Sequence, residues 1–289
     1  MGNSRRDLAN LDPDIGQDWS RIIQDAFKNG LELSCDLIFG ERLADRPEQG
    51  VYVASETQNY VLGTRRVTPD GRVFRYGRCN QTLDRMNSGV KNYSSLVTRK
   101  ASICLATDAD SKTVEVTTAT FLKTLEADEL KGGYISLYRD ADRAQRHIVG
   151  NTAIPVIGGA NCMLTLKDAL TVGLNLNDPC EILPNPYGNL RWGNHNYSSV
   201  MGMPCVMAKN GEYFWIQTWG PCRISPIGTA FGVNQNEQLF GFSSNGGLER
   251  MDTLFASSYD KQIAGFVIEM PDALEEEAAA PFIMLQISP

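Results

Sequence analysis

The chain has 289 residues, 42% of them hydrophobic and 21% charged, with a formal net charge of −7. That length suits one large domain or two ordinary ones, with the composition of an ordinary globular protein. The acidic balance argues against a general DNA- or RNA-binding role, and the short, interrupted apolar runs fall well below the roughly 20 residues of a membrane-spanning helix.

Residues 1–17 are polar, carry Asp12-Pro13-Asp14, and read as a flexible arm. Met1–Arg6 contains no apolar signal-peptide core and no myristoylation pattern, so synthesis in a cytoplasm is expected. A short amphipathic helix is predicted next. Trp19, Ile22, Ile23, Ala26 and Phe27 fall on one stripe, Asp18 can cap its start and Asn29-Gly30 can stop it. About three turns are too few to be stable alone, so this helix must dock on its own body or on a neighbour. Leu31, Leu33, Cys35 and Leu37 then alternate with polar residues, as a strand with one wet face does.

From Val51 onward the chain consists largely of short β-like runs: 51–53, 60–67, 72–76, 101–106, 113–118, 133–138 and 146–149. Pro69-Asp70-Gly71, between two such runs, predicts a hairpin. A compositional shift at 150–160 suggests a soft boundary, followed by a short helix within Leu164–Leu176 and a turn at Asn185-Pro186-Tyr187-Gly188. Asn210-Gly211 predicts a second hairpin, between 205–209 and Tyr213–Trp219. An acidic, alanine-rich stretch (Glu275–Ala280) precedes a last strand at Phe282–Ile287.

Strands at such spacing, with few helices between them, imply a mainly β protein: an antiparallel sandwich or barrel-type body with an N-terminal arm and a short amphipathic helix. The expected division is 1–50 for the arm, helix and first strand, 51–150 for a β domain with the arginine-rich hairpin, and 151–289 for a second β region, either separate from the first or continuous with it.

Signals for chemistry are weak. Seven cysteines at wide spacing, with no C-x-x-C and no nearby histidine, read as buried thiols in a reducing compartment and not as a metal or disulfide framework. The two histidines, His147 and His195, have no nucleophile motif such as G-x-S-x-G to serve. Asp108-Ala109-Asp110 and Asp140-Ala141-Asp142 read as turn aspartates, since no third ligand follows at useful spacing. Phosphate-cradling glycine loops are absent from the sequence. No catalytic residue, metal or cofactor is therefore assigned.

Two clusters invite recognition. Arg65, Arg66, Arg72 and Arg75, with Arg78 and Arg85, form the one basic concentration, suited to a solvated strand face, to pairing across a protein interface or, against the acidic total charge, to a nucleic-acid contact. Tyr213, Trp215 and Trp219 share one side of a strand and Phe214, Ile216 and Thr218 the other, so one side is expected to be core.

The hairpin Gly63–Tyr76, the Asn185–Gly188 turn and the Tyr213–Pro221 block together resemble uncharacterised structural proteins of environmental tailed bacteriophages. The resemblance implies a β-rich virion component of the capsid decoration, or cement, kind. It offers no catalytic residue to carry over. It points to the major capsid protein and copies of this chain as partners, in a trimer or other symmetric oligomer located in the virion. The candidate interface residues are Trp19, Ile22, Ile23 and Phe27 of the helix and Arg65, Arg66, Arg72 and Arg75 of the hairpin. The alternatives are a neck, tail or receptor-binding component that stacks a glycan on Trp192, Trp215 or Trp219, and a hydrolase using His147 or His195.

Overall fold

A computed structural model describes residues 47–83, 88–93, 100–117, 121, 124–139, 142–156, 161–193, 198–225, 239–251, 262–269 and 280–289. These residues form sixteen strands and no helix. Every strand pair is antiparallel, so the fold is mainly β as expected. The expected arm, its helix with Trp19, Ile22, Ile23 and Phe27, and the strand at 31–37 lie outside the described residues.

The predicted first hairpin forms. β1 (Arg65–Val67) pairs with β2 (Val73–Arg78), with Val67 opposite Val73. Gly71 donates its amide to Thr68 O at 2.9 Å from a φ of 83°, a conformation that glycine adopts without steric cost.

The larger sheet has ten strands. Beyond β1 and β2 it contains β3 (Val90–Asn92), β10 (Leu190–Arg191), β11 (Val200–Pro204), β12 (Tyr213–Arg223), β13 (Leu239–Phe242), β14 (Leu248–Arg250), β15 (Ile263–Glu269) and β16 (Phe282–Gln286). Its order is β10-β3-β11-β12-β16-β15-β13-β14, with β2 also on β12. The eleven-residue β12 is the hub: Tyr213–Trp219 pairs with β2, and Trp219–Arg223 pairs with β16. A register shift at Thr218 separates the two stretches. Gln217 Nε2 steadies it by donating to Trp219 O and Pro221 O.

The second predicted hairpin forms differently. β11 reaches β12 only at Met203 and Pro204, and further along that edge Tyr213 exchanges both backbone hydrogen bonds with Ser55. Ala208 bridges Leu83 instead, and the Asn210-Gly211 turn donates the Gly211 amide to Cys79 O.

The remaining strands are β4 (Lys100–Ser102), β5 (Thr113–Val116), β6 (Tyr134–Arg139), β7 (Asp142–Asn151), β8 (Cys162–Leu166) and β9 (Pro179–Leu183), ordered β4-β9-β6-β7-β8-β5. The ends of this sheet meet at the Ile103–Val116 bridge, giving a nearly closed barrel. Ile103, Val114, Ile135, Ile148, Leu164 and Ile182 fill its interior. Strand pairing runs across the expected boundary at 150/151, because β7 and β8 are neighbours with Ile148 opposite Leu166. The short helix expected within Leu164–Leu176 is replaced by β8 and turns. Cys162, Leu164 and Leu166 point inward while Met163 and Thr165 are exposed, which is a period of two and not of 3.6. The barrel leaves the larger sheet after β3 and returns at β10, where Asn92 and Leu190 are Cα partners.

Both sides of β12 are core. Phe214 and Ile216 pack with Leu83, Val90 and Leu190, while Trp215 packs with Val51, Tyr60, Phe74 and Tyr76. A third cluster, with Val200, Phe240, Phe242, Leu248, Ile283 and Leu285, lies under β13–β16.

Candidate interaction surface

The arginine concentration is largely engaged within the chain. Arg66 donates to Glu48 Oε1 at 2.8 Å and to Gln49 O at 2.9 Å, and its guanidinium lies 5.7 Å from the centre of the Trp215 ring. Arg72 pairs with Asp70 at 2.7 Å, donates to the Tyr52 hydroxyl at 2.9 Å and covers Phe74. Arg75 reaches Gly63 O and Ser288 Oγ. Arg65 is exposed, and so is Arg78, which stacks on Tyr213. Of the four hairpin arginines assigned to an interface, Arg65 alone presents an exposed residue. The other three fasten loops and rings of their own chain. The short reach of Asp70 to Thr68 and Arg72 lowers its carboxyl from the ordinary 3.8 to about 2.

Gln49 lies 3% exposed at the centre of this region. Its Nε2 donates to Val53 O and Tyr213 O, and its Oε1 accepts from Tyr76 and Asn59. Its carbonyl accepts from Arg66 and from the Trp215 indole at 3.0 Å. Burial drives the Tyr76 hydroxyl far above its usual range.

The aromatic cluster is divided. Trp215 is fully buried, which corrects the expectation that it stacks a glycan. Trp192 and Trp219 are half-buried. His147 rests against the Tyr134 ring at 5.3 Å between centroids, while His195 lies outside the described residues. Asp110 is a turn residue at φ 66°, its amide bonded to Leu170 O. Burial raises the thiols of Cys79 and Cys162 to about 11 and of Cys180 to about 12, which keeps them protonated at neutral pH. Among the described residues, no three His, Cys, Asp or Glu side chains gather as a metal site.

A cleft of about 520 Å³ separates the barrel from the larger sheet. Glu126, Asp128, Glu129 and Lys131 line one wall and Gln58, Arg78 and Tyr213 the other. Glu129 is occupied in capping the Glu126 amide at 3.0 Å, and the wall charges are of both signs.

The most distinctive surface is the outer side of β13, β15 and β16. Leu239, Phe266, Met284 and Pro221 are successive cross-strand partners, so they stand in one row on one side of the sheet. The opposite side of the same strands is the buried Phe240, Ile283 and Leu285 layer. Leu239 is 45% exposed and Phe266 43%, and Ile263 and Ile268 beside them are 48% and 47% exposed. A strand with one wet side alternates apolar and polar residues; these strands are apolar on both. The residue reading missed this surface, though its signal was present in the uninterrupted runs Phe266-Val267-Ile268 and Phe282–Leu285.

Compared with known proteins, the chain matches no family model, no curated protein and no solved structure.

Proposed function

We propose that this chain is a non-enzymatic structural subunit of a virion, of the capsid decoration kind, acting by burying surface against copies of itself and the major capsid protein. The observation that carries the reading is the apolar outer row Leu239–Phe266–Met284, flanked by Ile263 and Ile268. Apolar patches of this kind mark interaction sites more often than open surface. Fully burying a large aliphatic or aromatic side chain is worth roughly 1.5–3 kcal/mol, so half-exposed residues of this number can supply several kcal/mol per subunit. On a symmetric shell, contacts of that size become strong retention through avidity.

A β body with apolar interiors also suits such a role, because it holds its surfaces stiffly. Assembly in a host cytoplasm agrees with the free thiols of the six cysteines among the described residues. No helix of the described residues is long and apolar enough to cross a membrane. The test is co-sedimentation of the purified protein with undecorated shells. The native chain is expected to bind and to raise the temperature of shell disruption, and Phe266→Ser to weaken binding at least tenfold. No binding by the native chain, with disruption temperature unchanged, overturns the proposal.

A further inference from the structure

We infer that the amphipathic segment Trp19–Phe27 of this chain is the occupant of the outer side of β13, β15 and β16. The inference rests on the proposed function, because it assigns the partner of the surface that carries that reading. Three observations lead to it. First, the sheet is apolar on both sides, with the inner layer sealed under Phe240, Ile283 and Leu285, while in the outer row Leu239 and Phe266 are exposed and Met284 is half-buried. Sheets of this pattern are covered on both sides in a working assembly.

Second, the sequence supplies one segment of matching character. Trp19, Ile22, Ile23, Ala26 and Phe27 recur at helical spacing, with Asp18, Arg21, Asp25 and Lys28 between and around them. A helix from 19 to 27 rises about 12 Å, and a row across four strands measures about 14 Å, so stripe and row agree in length. Exposed Arg223 of β12 and Glu269 of β15, which flank Phe282 of β16, offer charges of both signs to that polar surround. Helix-on-groove docking of this type is read through i, i+3, i+4 and i+7 anchors, which is the spacing of these residues.

Third, the tether is long enough. Forty-six residues precede the described part of the chain, which is pinned in the core from Gln49 onward. The residues between Phe27 and Gln49 can extend to about 70 Å, which spans a domain or reaches an adjacent copy. Because the proposed function buries this surface between copies, the segment is assigned to a neighbour.

The experiment is photo-cross-linking of the full chain carrying Phe266→p-benzoylphenylalanine, in an equimolar mixture of light and nitrogen-15-labelled copies, read by peptide mass spectrometry. Cross-links to peptides covering residues 19–27, with light–heavy hybrid pairs near half of the total, are expected. Cross-links only to 239–286 of another copy, only to other segments, or to nothing overturn the docking. Shell binding by the same preparation then tells whether the structural role survives without it. Cross-links to 19–27 that are never hybrid keep the docking but overturn its exchange between copies, and with it the use of this surface in assembly. As a variant that spares the sheet, Trp19→Ser with Phe27→Ser should bind a hydrophobic dye at least several-fold more strongly while its near-ultraviolet circular dichroism stays close to native. Unchanged dye binding overturns the inference independently.

Discussion

The Tyr76 hydroxyl donates to Gln49 Oε1 across 2.7 Å in a site closed to solvent. Tyr76 belongs to β2, whereas Gln49 belongs to the loop ahead of the first described strand, so this bond fastens that loop to the strands around the hub. Asn59, Arg66, Tyr213 and Trp215 complete the same node through bonds to Gln49 side-chain and main-chain atoms.

Gln49→Ala removes the acceptor for Tyr76 and Asn59 and the donor to Val53 and Tyr213. Buried polar groups left without partners cost about 1–3 kcal/mol each, so a loss of about 3 kcal/mol is expected. Urea unfolding followed by tryptophan fluorescence measures it. A loss under half a kcal/mol would show that the node contributes little.

Asp70 carries a pH signature. Its folded pKa, about 2, lies below its ordinary 3.8, because Thr68 and Arg72 bond the charged form. A depressed carboxyl contributes stability that is fully present above about pH 4 and fades as pH falls through 2. The site is open to solvent, so the effect is modest and screened by salt. Stability of the native chain should fall more steeply from pH 4 to 2 than that of Asp70→Asn. Parallel slopes for the two proteins would refute the assignment.

Gly265 sits at φ 146° where β15 crosses close to the Met284 carbonyl of β16. A Cβ there meets that backbone and also demands a conformation that other residues resist. Gly265→Ala is therefore expected to destabilise the chain by about 3 kcal/mol and to loosen the outer surface specifically. Hydrogen exchange should speed up first at β15 and β16. Uniform exchange, or a change below half a kcal/mol, would contradict this.

Much of the body is legible in local chemistry. Pro69-Asp70-Gly71 marks a hairpin because each residue serves the turn itself, and the alternation at 133–138 and 113–118 survives in β6 and β5. Asn210-Gly211 marks a turn correctly, but the partner of its flanks is decided by long-range competition in which Ser55 holds the β12 edge at Tyr213 and Leu83 takes Ala208. The Leu164–Leu176 misreading has a similar cause: leucine spacing there fits two periods, and barrel closure selects the shorter. The arginines are legible as a cluster, yet not their partners, since Arg75 meets Ser288 across 213 positions. The outer row is hardest to read, because Leu239, Phe266 and Met284 become neighbours only through pairing.

Asn92 and Leu190 stand opposite each other where the barrel begins and ends. A module whose two ends meet at one rung can be exchanged without disturbing its host. The parent sheet needs only a short connection there that keeps the Asn185–Gly188 turn. Replacing 94 to 183 with a few glycines and serines, and keeping Asn185–Gly188 because Tyr187 O accepts from the Arg78 amide and Asn185 donates to Leu62 O, should leave a smaller protein that still folds. Such a layout allows the barrel to diversify at its own pace while the platform that bears it stays fixed.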